Sequence, residues 1–250
     1  MSDYHVFLGS RDLDKGKTAA SQIQEAGGSI EAIQLDVTDR TSLSTARQYI
    51  ETRFERLDVL VSNAAILLNP KVSPEYSLGQ AMQDTFATNT SGATDLVEEF
   101  IPLLKCSRLP RLVFVSSGYA SLHRFANFTP SYTTTKFFTP AYACSKATLN
   151  MLMLQYNVQY GNKGWKINAC CPGFTKTNFS NHDEQAGPAN ESALIAVKLA
   201  TLGEDGETET TVNLRPGHVS SVLLPVRTLL RELRLVRQYN LVLGLEKLDS

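Results

Sequence analysis

The sequence predicts an α/β protein built on a doubly wound parallel sheet, and three observations support this. Short apolar runs with the length and β-branched content of strands alternate with longer segments of helical spacing. Several of these runs are apolar throughout, which is typical of strands that helices cover on both faces. Polar residues follow the runs directly, at the edge where open α/β sheets bind their ligands.

Composition and charge limit the classes of function. The chain has 250 residues, 42% hydrophobic and 20% charged, which is ordinary for a globular protein and fits one domain better than two. A net charge of −1 gives no support for a nucleic-acid partner. We see no run apolar enough for a signal peptide or a transmembrane segment. The four cysteines lack metal-ligand spacing, so we expect a cytoplasmic protein without a metal site.

The predicted elements alternate along most of the chain. In the first half we predict a strand at Tyr4–Leu8, a helix at about Asp14–Ala26, a strand at Ile30–Val37, a helix at about Arg40–Phe54 and a strand at Leu57–Val61. In the second half we predict a long helix at about Ser77–Leu104, a strand at Leu112–Val115, a helix beyond Pro140 and a strand at Lys166–Cys171. This alternation predicts a three-layer, Rossmann-like domain over residues 1–212.

Three polar side chains stand at the centre of this pattern. Ser117 follows the Leu112–Val115 strand, and Tyr142 and Lys146 are four residues apart, which places both on one helix face. A phenol with an ordinary pKa near ~10 is a poor acid or base at neutral pH. A nearby ammonium favours the phenolate, and a decrease of about three pKa units requires roughly 4 kcal/mol.

These residues resemble the Ser…Tyr-x-x-x-Lys signature of the short-chain dehydrogenases/reductases. Four further stretches resemble family motifs in the same order. They are Asp36-Val37 (the acidic residue at the adenine), Asn63-Ala64 within Ser-Asn-Ala-Ala (the turn beside the cofactor), Asn89 (the fourth catalytic residue), and Pro172-Gly173 with Thr175 and Thr177 (the loop that binds the nicotinamide carboxamide). Each stretch has a plain alternative as a turn, cap or loop, but their common order supports the resemblance.

The resemblance implies hydride transfer between a nicotinamide ring and a carbonyl or alcohol carbon of a small molecule. Ser117 would bond the substrate oxygen, and Tyr142 would give or take its proton. Lys146 would lower the tyrosine pKa and bind the nicotinamide ribose, and Asn89 would hold a water in the proton relay. Both Tyr142 and Lys146 would therefore contact the cofactor. A positioned acid suits this reaction because hydride delivery builds charge on the oxygen.

The turn after the first strand indicates whether the protein prefers NAD or NADP. An acid there favours NAD through the ribose 2′-hydroxyl, whereas an arginine accommodates a 2′-phosphate. Ser10 and Arg11 occupy this turn, so we predict NADP(H) rather than NAD, although Asp12 next to them argues the other way. A competing phosphate-loop motif ends at Gly16-Lys17-Thr18, but Arg11 stands where that motif needs its first glycine.

The segment Tyr119–Thr139 is longer than the usual spacing in the family. It contains the aromatic residues Phe125, Phe128, Tyr132, Phe137 and Phe138 among small polar ones. Long loops in compact domains are often functional, and these rings suit either an apolar substrate wall or packing of the loop on the domain. Carbonyl-reductase-like members of the family carry insertions here.

Two departures from the family pattern stand out. The family's N-terminal strand and its Thr-Gly-x-x-x-Gly-x-Gly loop are not found before Tyr4, and Gly9 is the first glycine of the chain. We therefore expect an N-terminally truncated sheet with unpaired strand edges and no ordinary pyrophosphate seat. From about residue 213 the chain diverges, and we predict a separate helical tail at 213–250. Its Leu- and Arg-rich run at 227–236 has the spacing of a basic amphipathic helix, which packs on its own domain or binds a membrane surface or a partner. A further hypothesis is that Tyr239–Leu243 pairs with the exposed strand edges of the sheet.

Two functions follow from these observations. The first is an NADP-dependent oxidoreductase for carbonyl or alcohol substrates, with the two longest helices as a family-type homodimer surface. The second is a catalytically inactive, reductase-like chain that acts through binding to another protein. The catalytic residues favour the first, and the missing glycine loop favours the second.

Overall fold

The computed structural model describes residues 4–70, 74–127, 139–180, 182–213 and 241–246. The strands are β1 (Tyr4–Ser10), β2 (Ile30–Gln34), β3 (Val59–Ser62), β4 (Arg111–Val115), β5 (Lys166–Cys171), β6 (Thr211–Asn213) and β7 (Leu241–Glu246). The helices are α1 (Leu13–Glu25), α2 (Arg40–Phe54), α3 (Leu78–Phe86), α4 (Ala93–Leu104), α5 (Leu122–Ala126), α6 (Pro140–Tyr160) and α7 (Ala189–Ala200).

One sheet contains all seven strands in the order β2-β1-β7-β3-β4-β5-β6. Every neighbouring pair is parallel except the two that involve β7, which is antiparallel to both β1 and β3. Parallel strands joined through helices confirm the predicted α/β fold class. Their carboxyl ends meet at one edge of the sheet, and this edge carries the candidate active site.

Strand β7 lies in the middle of the sheet, where the resemblance places the family's first strand. Leu241 is opposite both Gly9 and Ser62, and Gly244 is opposite both Val6 and Val59. The expectation of unpaired edges is therefore wrong, since the ladders of β1 and β3 are completed by the C-terminal part of the chain. The hypothesis that Tyr239–Leu243 pairs with the sheet is correct for residues 241–243, and residues 239 and 240 lie outside the described residues.

The helical prediction for 213–250 is wrong for the residues of β7. Residues 241–246 form a strand instead, and the proposed division at residue 212 falls inside β6. Ladder partners in β1 and β3 decide the conformation of 241–246, and the local spacing of Leu and Arg carries no information about such distant partners. The Leu- and Arg-rich run, residues 227–236, lies outside the described residues.

Two hydrophobic cores lie between the sheet and the helices that cover it, one on each face of the sheet. Alternate residues of one strand enter different cores, as Leu112 and Phe114 do on one face and Val113 on the other. Helices α2, α4 and α6 cover the first face, and α1 and α7 cover the second. The fold is thus the predicted three-layer arrangement.

A π-helical segment, Ala87–Gly92, interrupts the long helix predicted at Ser77–Leu104. It separates α3 from α4 and contains Asn89. A Cβ atom added at Gly92 would lie 2.8 Å from Cγ2 and 2.9 Å from the carbonyl oxygen of Val37. Only glycine therefore allows this close approach. π-helical turns inside helices often mark functional sites.

Among the residues that the structure describes, no helix combines the length and apolar character needed to cross a bilayer.

Candidate active site

Strand β4 brings Ser116 and Ser117 to the carboxyl edge of the sheet. Ser117 continues the extended backbone beyond the strand, and its Oγ accepts a hydrogen bond from the amide of Tyr119 at 3.2 Å. Ser116 is buried, with its Oγ 3.5 Å from the carbonyl oxygen of Lys146. The first part of the predicted catalytic set therefore lies beside helix α6.

Helix α6 presents Tyr142 and Lys146 to this edge. The helix begins at Pro140, where the fixed φ of proline suits a first turn. Both side chains are buried, and Lys146 Nζ lies 5.8 Å from the centroid of the Tyr142 ring. The predicted pair therefore shares one helix face and one environment.

Lys146 is an unusually buried ammonium group. Its Nζ donates a hydrogen bond to the carbonyl oxygen of Val115, the last residue of β4, at 2.7 Å. Burial lowers the pKa of Lys146 to about 8, against a smaller opposing influence from Cys170. An ammonium has three N–H donors, and Val115 is the acceptor found for Lys146 among the described residues. The remaining donors match the hydroxyls of a ribose, so the site fits that part of a nicotinamide cofactor.

Asn89 connects the π-helical segment to two other parts of the site. Its Oδ1 accepts from the amide of Ile66 at 2.8 Å, and its Nδ2 donates to the carbonyl of Ile66 at 3.0 Å. Nδ2 also donates to Ser145 Oγ at 3.0 Å. These bonds hold the segment after β3 against α6, and the Asn89 side chain is fully buried.

Ser145 is a site residue that the sequence reasoning did not identify. It is buried between Tyr142 and Lys146 in the chain, and its Oγ donates to the carbonyl of Tyr142 at 2.8 Å while it accepts from Asn89. Its position three residues after Tyr142 places it on a neighbouring part of the helix face. That spacing was a usable signal, but its partner across the fold was not visible in the sequence.

The segment after β5 forms a third side of the site, in addition to the end of β4 and helix α6. Gly173 has a φ of +78°, which favours glycine. Thr175 Oγ1 is 2.9 Å from Ser192 Oγ on α7 and donates to the carbonyl of Gly173 at 3.2 Å. The amide of Thr177 donates to Ser180 Oγ at 3.1 Å. Pro172 precedes this turn as the predicted motif requires, and both threonines are buried.

The segment after β3 lies between these three sides of the site and the ends of β1 and β2. Asn63 is half-buried and Ala64 is buried directly beyond the strand. Ile66, two residues after Ala64, is the partner of Asn89. The structure thus brings Asn63 and Ala64 to the same edge as Ser117, Tyr142 and Lys146.

The predicted adenosine-binding residues lie at the ends of β1 and β2, on the other side of β7. The buried Ser10 uses its Oγ to donate to the carbonyl of Asp12 at 2.6 Å, whereas Arg11 is exposed. Asp36 Oδ1 accepts from the amide and the hydroxyl of Thr38 at 2.9 and 2.7 Å, so this oxygen caps a local turn. Val37 packs against Gly92.

The phosphate-loop alternative does not fit this region. Gly16-Lys17-Thr18 lies inside α1 rather than in a loop, and a Cβ at Gly16 would lie 2.9 Å from Cβ of Ser10. Gly16 therefore serves close packing of α1 on β1. Asp12 caps α1 by accepting from the amide of Lys15 at 3.1 Å, so a carboxylate occupies this helix end in place of a phosphate.

Aromatic rings surround the Tyr142 side chain. The centroid of Tyr119 is 6.4 Å away in an edge-to-face arrangement, and that of Phe179 is 5.6 Å away and tilted. Phe125 contacts Tyr119 at 5.9 Å. The other aromatic residues of the predicted insertion, Phe128, Tyr132, Phe137 and Phe138, lie outside the described residues.

Comparison with known proteins decides the family. The model of the short chain dehydrogenase family matches residues 1–187. The chain belongs to the short-chain dehydrogenase/reductase family. Members of this family are NAD(P)-dependent oxidoreductases, and this chain is one that acts on carbonyl or alcohol groups of small molecules. The family match begins at residue 1, so it does not support the prediction that an N-terminal strand is missing.

Individual relatives agree with this assignment. The short-chain dehydrogenase/reductase ATR10 of Stachybotrys chlorohalonatus is 37% identical over 83% of this chain and 77% of its own length. Carbonyl reductase [NADPH] 1 of Macaca fascicularis is 30% identical over 81% of this chain and 83% of its own. The NADPH-bound carbonyl reductase from chicken fatty liver has the same fold, with a TM-score of 0.67, 24% identity and coverage of 83% and 84%.

Proposed function

We propose that this short-chain dehydrogenase/reductase uses NADPH to reduce a ketone or aldehyde, with Tyr142 as the proton donor. The observation that carries the proposal is the buried Lys146 ammonium, held by Val115 at 5.8 Å from the Tyr142 ring. A positive charge this close favours the phenolate form of Tyr142 over the phenol, which makes the hydroxyl a better acid near neutral pH.

The roles of the other residues follow from their positions. The nicotinamide of the cofactor supplies the hydride that adds to the carbonyl carbon. Ser117 donates to the carbonyl oxygen and orients it, and the Tyr142 hydroxyl transfers its proton to that oxygen as charge develops. Lys146 binds the nicotinamide ribose with the N–H donors that Val115 leaves available. Asn89 holds the segment after β3 in place beside the relay, through its two bonds to Ile66.

Cofactor contacts at the nicotinamide end are assigned to the turn after β5. Pro172, Gly173, Thr175 and Thr177 present backbone and hydroxyl groups that suit a carboxamide, and Asn63 and Ala64 line the middle of the cleft. Thr175 has a fixed hydroxyl because Ser192 holds it at 2.9 Å. Fixed polar groups of this kind bind a flat amide with little loss of freedom.

A preference for NADP(H) rests on the exposed Arg11 at the end of β1. Its guanidinium suits a 2′-phosphate, and the carboxylate of Asp36 is engaged in its own turn at Oδ1. Several relatives carry this preference in their names, including carbonyl reductase [NADPH] 1. Ser10, Asp36 and Val37 would border the adenosine.

Two broader expectations complete the proposal. A homodimer through α4 and α6 is consistent with the exposed Met151 and Val158 on α6, and size-exclusion chromatography with light scattering would detect it. A cytoplasmic location is consistent with the four cysteines, all within the described residues, which form no disulfide.

The test compares two tyrosine substitutions on the same helix. Tyr142→Phe should lower kcat for ketone reduction about 10³-fold, the scale of general acid catalysis, and leave NADPH binding intact. Tyr160→Phe is the matched control, because its ring stacks on Trp165 at 4.5 Å, away from the site. Equal rates in the wild type and Tyr142→Phe would contradict the proposed role.

A further inference from the structure

Exposed apolar side chains gather at the mouth of the candidate active site. Nine large hydrophobic side chains are exposed among the described residues, and five of them lie in the segments that follow β3, β4 and β5. These five are Leu67, Leu122, Phe125, Phe174 and Phe179. Apolar surface concentrated at one edge of a sheet indicates a site that binds an apolar group.

The rings nearest to the reaction centre have a defined geometry. Phe179 lies 5.6 Å from Tyr142 with its plane tilted by 53°, and Tyr119 lies 6.4 Å from Tyr142 with its plane at 76°. They come from different segments, Tyr119 after β4 and Phe179 after β5. A phenol flanked by two non-parallel rings offers edges and faces to an incoming ring in the orientations that aromatic pairs prefer.

Phe179 is the ring best placed to contact a substrate. It is 46% exposed although it touches Tyr142, so much of its surface is accessible beside the reacting hydroxyl group. The adjacent Ser180 fixes its turn, since Ser180 Oγ donates to the carbonyl of Thr175 at 2.7 Å and accepts from the amide of Thr177 at 3.1 Å. A ring on a fixed turn contacts a ligand with little loss of conformational freedom.

We propose that the substrate is an aryl ketone or aldehyde, with an aromatic ring attached to the carbonyl carbon, and that Phe179 determines this specificity. The inference rests on the proposed function, because it concerns the same site. The carbonyl oxygen points to Ser117 and Tyr142, and the aryl ring then lies between Phe179 and Tyr119. An aromatic contact of this kind contributes about fivefold beyond the burial of its area.

The experiment uses two ketones of similar size, one aromatic and one saturated. Acetophenone and cyclohexyl methyl ketone carry the same acetyl group on six-membered rings. The ratio of kcat/KM for acetophenone to kcat/KM for the cyclohexyl compound is compared between the wild type and Phe179→Leu, so that the intrinsic difference in carbonyl reactivity cancels. Phe179→Leu keeps an apolar side chain but removes the ring, so it should lower this ratio about fivefold, mainly through acetophenone.

Tyr49→Leu is the matched control. Tyr49 is an exposed aromatic residue on α2, remote from the carboxyl edge, and its substitution should leave the ratio unchanged. An unchanged kcat/KM for acetophenone in Phe179→Leu would overturn the inference while turnover itself upheld the proposed function. An equal loss for both ketones in Phe179→Leu would also overturn it.

A binding measurement separates failure of the inference from failure of catalysis. Saturation-transfer NMR with NADP⁺ present reports contact between the protein and each ketone without turnover. If neither ketone is reduced but acetophenone alone shows contact that Phe179→Leu removes, the inference stands and the catalytic proposal fails. If acetophenone shows no more contact than the cyclohexyl compound, the inference is wrong whatever the rates.

Discussion

The two sides of the cofactor cleft hold their polar residues in different ways. On the side of β3 to β5, Asn89 bonds to Ile66 and Ser145, Lys146 to Val115, and Thr175 to Ser192, so each side chain is fixed by another element. On the side of β1 and β2, Ser10 and Asp36 bond within their own turns. The proposed nicotinamide side is therefore organised before a ligand arrives, and the proposed adenosine side depends on one exposed arginine and on the strand beside it.

That neighbouring strand is β7, and it is the feature that differs most from the family pattern. It forms residue pairs with six positions of β1 and four of β3, and among the described strands it alone joins the two sides of the sheet. A cofactor that reaches from Arg11 to Lys146 must pass over the end of β7 at Leu241. The geometry of the whole cleft therefore depends on where this strand lies.

The largest expected effect comes from removing β7. Deletion of residues 241–250 takes the ladder partners from β1 and β3 together and leaves the central strands open to water and to other chains. A typical domain has only about 5–15 kcal/mol of stability, so we expect loss of cooperative folding in circular dichroism and thermal melts. Deletion of residues 247–250 alone is the control, and it should melt as the full chain does. An unchanged melting temperature without β7 would show that the sheet closes in another way.

The next effect concerns the pH dependence of stability and comes from Lys146. Its folded-state pKa is about 8 and its ordinary value is 10.5. Between these pH values the Lys146 side chain is protonated in the unfolded chain and neutral in the folded chain. The contribution of Lys146 to the free energy of unfolding therefore increases as the pH rises from about 8 to 10.5, and it is constant at lower pH. The full shift corresponds to about 3 kcal/mol.

Lys146→Met isolates this contribution. The unfolding free energy of the wild type minus that of the variant should increase by up to about 3 kcal/mol across that pH range, measured by urea denaturation of both proteins. Ionisable groups that do not interact with Lys146 contribute equally to both proteins and cancel in the difference. A difference that does not change with pH would show that the ammonium is well solvated in the folded protein.

A smaller effect should follow from Ser145→Ala. This change removes the acceptor for Asn89 Nδ2 in a buried site, and an unsatisfied buried donor costs about 1–3 kcal/mol. Ser21→Ala is the matched control, because Ser21 Oγ also bonds to a helix carbonyl, that of Lys17 at 3.0 Å, but is exposed. We expect a lower denaturation midpoint for Ser145→Ala alone, and equal midpoints would exclude a bridging role.

The smallest effect tests the adenosine side. Arg11→Ser should raise the Kd of NADPH about tenfold, or roughly 1.4 kcal/mol, with little change for NADH, since we propose that Arg11 contacts the 2′-phosphate. Arg53→Ser on α2 is the control, because Arg53 pairs with Glu31 instead. If Arg11→Ser raises the Kd values of NADPH and NADH equally, Arg11 does not recognise the 2′-phosphate.

Most helices and strands could be predicted from the sequence because their buried residues recur with a regular spacing. The predicted bounds of the Arg40–Phe54 helix and the Lys166–Cys171 strand agree with α2 and β5. The order of polar residues after the strands was also enough to find Tyr142 and Lys146, which the fold places on one face.

The features that sequence reasoning missed, or anticipated only in part, depend on distant partners. Strand β7 pairs Glu246 with Tyr4 from the opposite end of the chain, and the hydrogen bonds of the Ala87–Gly92 segment differ from those of a regular helix without a change in composition. Ser145 was missed because its importance comes from Asn89, 56 residues away. Pairings across the fold, rather than spacing within one element, decide each of these cases.

The most direct test of the account is a titration of the folded protein with NADPH and, separately, with NADH, followed by calorimetry. We expect saturable binding of NADPH, tighter than that of NADH, and a weaker NADPH complex in Lys146→Met because the ribose loses its donor. If neither nucleotide binds to a sample that is folded by circular dichroism, the cleft around β7 does not hold the cofactor and the proposed function is wrong.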